Sequence, residues 1–158
     1  MSRTMTGFSR TVVVGAEFPG DDMVRFHAVL EDHVYAMELK MEVGLSDGVI
    51  RAVEGHMKRF TTSICPQAQE VVQNAVGISL KQPDWVSRVN REIAHKGCQH
   101  LAELILECGR SLGAAMEAYH ASGRKGTIPS GPPREVGQVS MEHHQGLHGP
   151  CLARPKGE

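Results

Sequence analysis

The sequence is poor in aromatic residues, has no long apolar run and carries almost no net charge. Only 4% of its 158 residues are aromatic, with a single tryptophan, so it offers no row of rings on which bases could stack. Lysine and arginine, 17 in all, nearly balance the 18 aspartates and glutamates. This balance leaves no basic patch for a phosphate backbone. We therefore expect a protein that does not bind nucleic acid.

The longest apolar run near the N-terminus is Val12-Val13-Val14. It is far shorter than the roughly 20 residues that span a bilayer or the 7 to 15 or so of a signal-peptide core. We therefore expect a cytoplasmic protein that does not enter a membrane. Because glutathione keeps cytoplasmic thiols reduced, the four cysteines are expected to be free thiols, ligands or nucleophiles rather than disulfides.

Alternation of apolar and polar residues, which is typical of half-buried strands, dominates the first part of the sequence. It predicts strands over residues 11–18, 23–31, 35–43 and 49–60, and it is clearest in the second and third of them. Asp47-Gly48 separates the last two, and this dipeptide readily takes the positive φ of a hairpin turn. The pattern predicts an antiparallel meander of three or four strands.

After Cys65 the apolar spacing becomes helical. It predicts helices over residues 66–77, 84–96 and 98–121, of which the last has the best defined apolar stripe. We therefore predict an α+β fold, a small antiparallel sheet of three to four strands followed by two to three helices, in one domain spanning 11–121. Residues 1–10 are expected to be a flexible N-terminus. Residues 122–158, rich in glycine, proline and histidine, are expected to be a disordered tail.

Two of the cysteines stand at predicted helix starts, Cys65 just before Pro66 and Cys98 just after Gly97. Unpaired backbone N–H groups at a helix start favour an anion and therefore the thiolate form. His100 follows Cys98 within the first helical turn and can converge on the same point. The competing interpretation is that both cysteines merely occupy helix-capping positions and have no chemical role. Cys108 falls within the apolar stripe of the last helix and is predicted to be a buried core residue.

A further candidate is Glu31-Asp32-His33, at the junction between two predicted strands. Here a carboxylate and an imidazole can complete a tetrahedral site for zinc or iron, or they can form a solvated turn. Five residues thus make up the predicted metal ligands: Cys65, Cys98, His100, Asp32 and His33.

The segment Gly97-Cys98-Gln99-His100-Leu101, with Cys65 and residues 30–33 upstream of it, resembles a bacterial family catalogued as domain of unknown function 2889. The resemblance covers roughly residues 8–116 and implies no activity. The order of a ligand loop, a hairpin and two helix-starting cysteines is also similar to the iron–sulfur cluster assembly scaffold fold. That similarity implies Asp32, Cys65 and Cys98 as ligands. Since the first loop here has no cysteine, a single zinc or iron ion is an alternative to a cluster.

Three functions compete on these grounds. The first is a metal- or iron–sulfur-binding accessory domain that uses the helix-start cysteines. The second is a thiol-dependent enzyme with Cys98 as nucleophile and His100 or His33 as base. The third is a non-catalytic interaction subunit of a larger bacterial complex, which binds a protein partner or a second copy of itself. The sequence does not identify a substrate for any of these three functions.

Overall fold

The computed structural model describes residues 7–121, which form a four-stranded antiparallel sheet followed by helices. The strands lie side by side in chain order, which confirms the α+β class and the meander. Their bounds are β1 Arg10–Gly20, β2 Met23–Asp32, β3 Ala36–Gly44 and β4 Ile50–Arg59. The expectations for residues 1–6 and for the tail 122–158 lie outside the described residues.

The helical part is more broken than the sequence predicts. In order it comprises a 3-10 turn Cys65–Gln67, α1 Ala68–Val71, a 3-10 turn Val72–Ala75, α2 Trp85–Val89, a π-helical turn Asn90–Ala94 and α3 Gln99–Ala121. The described residues 7–112 belong to one compact unit. Of the second unit, 113–158, the structure describes only 113–121, the C-terminal end of α3. No helix in the described part of the chain combines the length and apolar character needed to cross a membrane.

The core lies on one face of the sheet, as the alternation predicts. The buried side chains of β2 and β3 are Val24, Phe26, Ala28, Leu30, Met37, Leu39, Met41 and Val43. The opposite face carries charges that pair across strands: Arg25 donates to Glu42 at 2.8 Å and to Glu17 at 3.0 Å. Because solvent screens exposed charges, each of these cross-strand pairs contributes little stability. Burial of the apolar face therefore supplies most of the stabilisation.

The alternation of β4 is irregular because the strand contains a bulge. Val43 pairs with Ile50 and Glu42 pairs with Ala52, so Arg51 is the extra residue. An extra residue reverses the side to which later side chains point. Ile50 and Val53 can therefore both be buried although they are three positions apart.

The segment after β4 keeps the helical spacing but not the single helix predicted for 66–77. Ala68, Val72 and Ala75 are buried, as that spacing requires. The intervening side chains are tied to the edge of β4: Gln69 Oε1 accepts the N–H of Met57 at 3.1 Å, and Gln73 donates to the carbonyl of Val53. We attribute the 3-10 turns to these tertiary bonds, which hold the segment against the strand. Gly77, with a φ of 85°, ends it as predicted.

Candidate functional site

Cys65 opens the first 3-10 turn after β4. Its N–H donates to the carbonyl of Thr62 at 3.1 Å, and the N–H of Gln67 donates to Ile64 at 3.0 Å. The helical segment that follows is divided into turns of three or four residues. The long helix whose N-terminus was predicted to stabilise a Cys65 thiolate is therefore not there.

Two threonine hydroxyls contact the sulfur instead. Thr62 Oγ1 lies 3.3 Å from Cys65 Sγ, and Thr61 Oγ1 lies 3.6 Å from it. Hydroxyl donors favour the charged form of a thiol. The Thr62 hydroxyl above all, and then that of Thr61, lowers the pKa of Cys65 from 9.0 to about 7. About half of the Cys65 side chains are therefore thiolate at neutral pH.

Cys98 stands immediately before α3. Its carbonyl accepts the N–H of Ala102 at 3.1 Å, so it is the residue that caps the helix. Gly97 allows this end of α3 to lie against α1, because a Cβ at that position would be 2.9 Å from Cβ of Val71. Since Cys65 lies in the turn that leads into α1, the contact places the two cysteine-bearing segments side by side.

Cys65, Cys98 and His100 line one cleft of about 660 Å³. This volume is in the range of small-molecule sites. Two thioethers, those of Met37 and Met57, also line it. The remaining lining residues are Tyr35, Thr62, Ile64, Gln67, Ala68, Glu70, Val71, Asn74, Lys96 and Gly97. The structure thus brings three of the five sequence-predicted ligands to one surface.

Asp32, the fourth predicted ligand, is engaged elsewhere. Its Oδ1 accepts the N–H groups of Val34 at 2.8 Å and Tyr35 at 2.7 Å, and its Oδ2 accepts Nε and Nη2 of Arg10 at 3.0 and 2.8 Å. The side chain is 1% exposed. The N–H of Tyr35, followed by that of Val34 and by Arg10, lowers the pKa of Asp32 to about 2. The carboxylate closes the β2–β3 turn and does not line the cleft.

His33, the fifth, is exposed and packs edge-on against Phe8, with ring centroids 5.5 Å apart. It does not line the cleft either. Among residues 7–121, no group of three His, Cys, Asp or Glu side chains is arranged to hold a metal ion.

His100 is held by two contacts. Its ring lies against Tyr35, with centroids 4.2 Å apart, and its Nε2 is 3.3 Å from Nη2 of Arg10. A guanidinium has only donors, so this hydrogen bond requires Nε2 to accept and the proton to sit on Nδ1. Arg10 also binds Asp32. The β2–β3 turn is thereby connected to the beginning of α3 and to one wall of the cleft.

Cys108 is fully buried in the apolar side of α3, which confirms the sequence prediction. Burial raises the pKa of its thiol to about 12, so it stays protonated and unreactive at neutral pH. Cys151 lies outside the described residues.

The sequence predictions missed several residues of the site. Thr61 and Thr62 lie four and three residues before Cys65, so they were candidates for local contacts, because threonine hydroxyls in turns commonly bond to groups a few residues away. Arg10 could not have been found, since it meets His100 across 90 positions of sequence and nothing local signals such a contact.

Comparison with known proteins assigns the chain to a protein family. A family model described as "Protein of unknown function (DUF2889)" matches residues 10–112, which is well over half of the chain. The chain belongs to this family. Every residue that lines the cleft falls within the DUF2889 match. No curated protein and no solved structure matches. The similarity in layout to the iron–sulfur scaffold fold therefore stays a prediction.

Proposed function

We propose that this DUF2889 protein acts through its thiols, with Cys65 as the reactive thiolate of the cleft. One observation carries the proposal: the sulfur of Cys65 lies on the cleft wall within hydrogen-bonding distance of two threonine hydroxyls. Among residues 7–121, no side chain is hydrogen-bonded in this way to the sulfur of Cys98. We therefore propose Cys65 as the nucleophile rather than Cys98, the residue that the sequence had suggested.

A thiolate that forms near neutral pH needs no separate general base to activate it. It attacks an electrophilic carbon or sulfur atom of a bound molecule, and the leaving group departs with the electron pair of the broken bond. The apolar side chains of Met37 and Met57, together with the charges of Glu70 and Lys96, suit a small ligand with an apolar body and polar ends.

Alkylation of the native protein tests this proposal. After brief exposure to iodoacetamide at pH 7, peptide mapping is expected to show Cys65 modified first and Cys108 last, because Cys65 is partly exposed and about half ionised whereas Cys108 is buried and protonated. Cys108 serves as an internal standard within each sample. Exchange of Cys65 for serine should remove the fast phase and leave the folding transition unchanged. Slow modification of Cys65, at the rate of an ordinary exposed thiol, would remove the basis of the proposal.

Binding of a single zinc or iron ion, or of an iron–sulfur cluster, is a second candidate. The observation in its favour is that Cys98 and His100 share the cleft with Cys65, and thiolate with imidazole is a ligand set that suits these metals. Ligating thiols must lose their protons, which the threonine hydroxyls assist at Cys65. The ligand set proposed on this basis is Cys65, Cys98 and His100, without Asp32 and His33, which lie elsewhere. These three are not arranged around a common point among residues 7–121, so binding would require His100 to exchange its hydrogen bond with Arg10 for the metal.

Metal analysis separates the two candidates. If the second holds, protein purified without a tag under anaerobic conditions should contain zinc or iron in a fixed ratio to the chain, and Cys65→Ser and Cys98→Ser should each lose it. Acid-labile sulfide would distinguish a cluster from a single ion. Cys108→Ala is the matched control, since Cys108 is buried away from the cleft and should retain any metal. Equal metal content in all four proteins would contradict binding by these thiols.

A further inference from the structure

The two edge strands of the sheet, β1 and β4, differ in the hydrogen bonding of their outward-facing backbone groups. At β4, the N–H of Ile50 donates to Ile78 and its carbonyl accepts the N–H of Gly77, both at 2.9 Å. Further along the same edge, Gln69 and Gln73 bond to the backbone of the strand. Four of the backbone groups on this edge are therefore bonded by the segment that follows β4, which hinders the pairing of β4 with another strand.

At the other edge, no hydrogen bond from residues 7–121 to the outward-facing backbone of residues 11–17 corresponds to those at β4. Among residues 7–121, β1 pairs with β2 alone, so its second row of N–H and C=O groups faces away from the sheet. The strand is 11 residues long, and its central part, residues 12–16, contains no charge and no proline. Long, uncharged edges of this kind are templates for strand addition, and proteins usually block them with charges, prolines or covering segments.

Both faces of β1 also expose apolar side chains. Val12 pairs with Leu30 and so lies on the core face, yet it is 41% exposed where Leu30 is 0%. Val13 pairs with Val29 on the outer face and is 57% exposed. The apolar face of the sheet therefore extends beyond the area that the described helices cover.

We propose that β1 pairs antiparallel with β1 of a second copy of this chain. The two sheets then join into one of eight strands, four from each copy. In a two-fold arrangement, paired residues must share a face, so a residue on the axis faces its own equivalent. With Val14 on the axis, Val12 lies opposite Ala16 of the other copy and Thr11 lies opposite Glu17, so the pairing proposed here covers residues 11–17.

Charge does not oppose this pairing. The one charged side chain between Thr11 and Glu17 is Glu17 itself, which is bound to Arg25 within its own copy and lies opposite Thr11. A second copy of the same strand therefore brings no like charge against this edge. Because a single strand pair buries less than a standard interface, we expect a weak dimer that dissociates on dilution.

Analytical ultracentrifugation of the full chain over a concentration series tests the pairing. The average mass is expected to rise from that of one chain toward that of two. Val13→Lys, which places a charge on the edge strand, should hold the mass at one chain. Val29→Lys is the matched control: it makes the same change at the paired position on the same face of the neighbouring strand, and it should dimerise like the unmodified protein.

Cross-linking provides a second measurement if the lysine variant unfolds. Val14→Cys should form an oxidised dimer beyond the level seen with the unmodified protein, and Val29→Cys should not.

A mass of one chain at every concentration would overturn the proposal and would leave the edge to a strand from another protein. Equal loss of the dimer in Val13→Lys and Val29→Lys would also overturn it, because the interface would then be the outer face of the sheet. So would a Val13→Lys variant that still dimerises.

Discussion

Exchange of Thr61 and Thr62 together for valine is expected to slow the reaction of Cys65 with a small disulfide reagent about fivefold to tenfold at pH 7. Loss of both hydroxyl contacts allows the pKa of Cys65 to rise from about 7 toward its ordinary 9.0. A full return would lower the thiolate fraction at pH 7 from about one half to about one in a hundred. A more basic thiolate is also intrinsically more nucleophilic, by about eightfold for such a shift, which offsets part of the loss.

The dependence of the reaction rate on pH distinguishes an effect of the threonine hydroxyls on ionisation from a steric effect of the valines. At pH 10 both proteins are largely thiolate, so the double variant should react faster than the unmodified protein, and the two rate profiles should cross. Ser63→Ala is the matched control, since Ser63 lies in the same exposed loop and its hydroxyl is not among those bonded to the sulfur. A double variant that is slower at every pH would mean that the valines obstruct access and that the hydroxyls do not set the ionisation.

Exchange of Phe26 for alanine is expected to lower the free energy of unfolding by about 3–5 kcal/mol. Phe26 is fully buried in the second of four strands, where it pairs with Met41 on one side and Ala16 on the other. Truncation removes most of its apolar surface and leaves a cavity that the sheet can only partly close. Because domains of this size are stable by only about 5–15 kcal/mol, a large part of the total would be lost.

Urea denaturation, followed by circular dichroism, measures the effect of the phenylalanine exchange. Phe60→Ala is the matched control: it makes the same change at a side chain that is 40% exposed, and surface substitutions usually stay within about 0.5 kcal/mol. Similar losses in the two variants would contradict the assignment of Phe26 to the core.

The alternation in β2 and β3 was sufficient to predict those strands and the faces that they bury, because each alternate residue from Val24 to Leu30 and from Met37 to Val43 is buried. It was insufficient where tertiary structure intervenes. The bulge at Arg51 shifts the phase of β4, and the hydrogen bonds from Gln69 and Gln73 to β4 accompany the division of the predicted helix into short turns. Neither effect is visible in a local window of sequence.

The candidate site, like the fold, could be predicted from the sequence only in part. The positions of Cys65 and Cys98 at the beginning of helical segments directed attention to the cleft that both residues line, although the long helix predicted after Cys65 is replaced by short turns. The predicted ligand role of Asp32 rested on its position between two strands. That position equally suits a carboxylate that closes a turn, and its hydrogen bonds to Val34, Tyr35 and Arg10 show that it does so. Only the three-dimensional arrangement distinguishes these roles.

We expect the turn that follows β4 to make Cys65 a thiolate near neutral pH. This is tested by the rate of Cys65 alkylation by iodoacetamide between pH 5 and 10, resolved by peptide mapping in the unmodified protein. The rate is expected to rise with pH through a midpoint near 7, because the threonine hydroxyls lower the pKa of Cys65 to about 7. A midpoint near 9, that of an ordinary cysteine, would show that they do not.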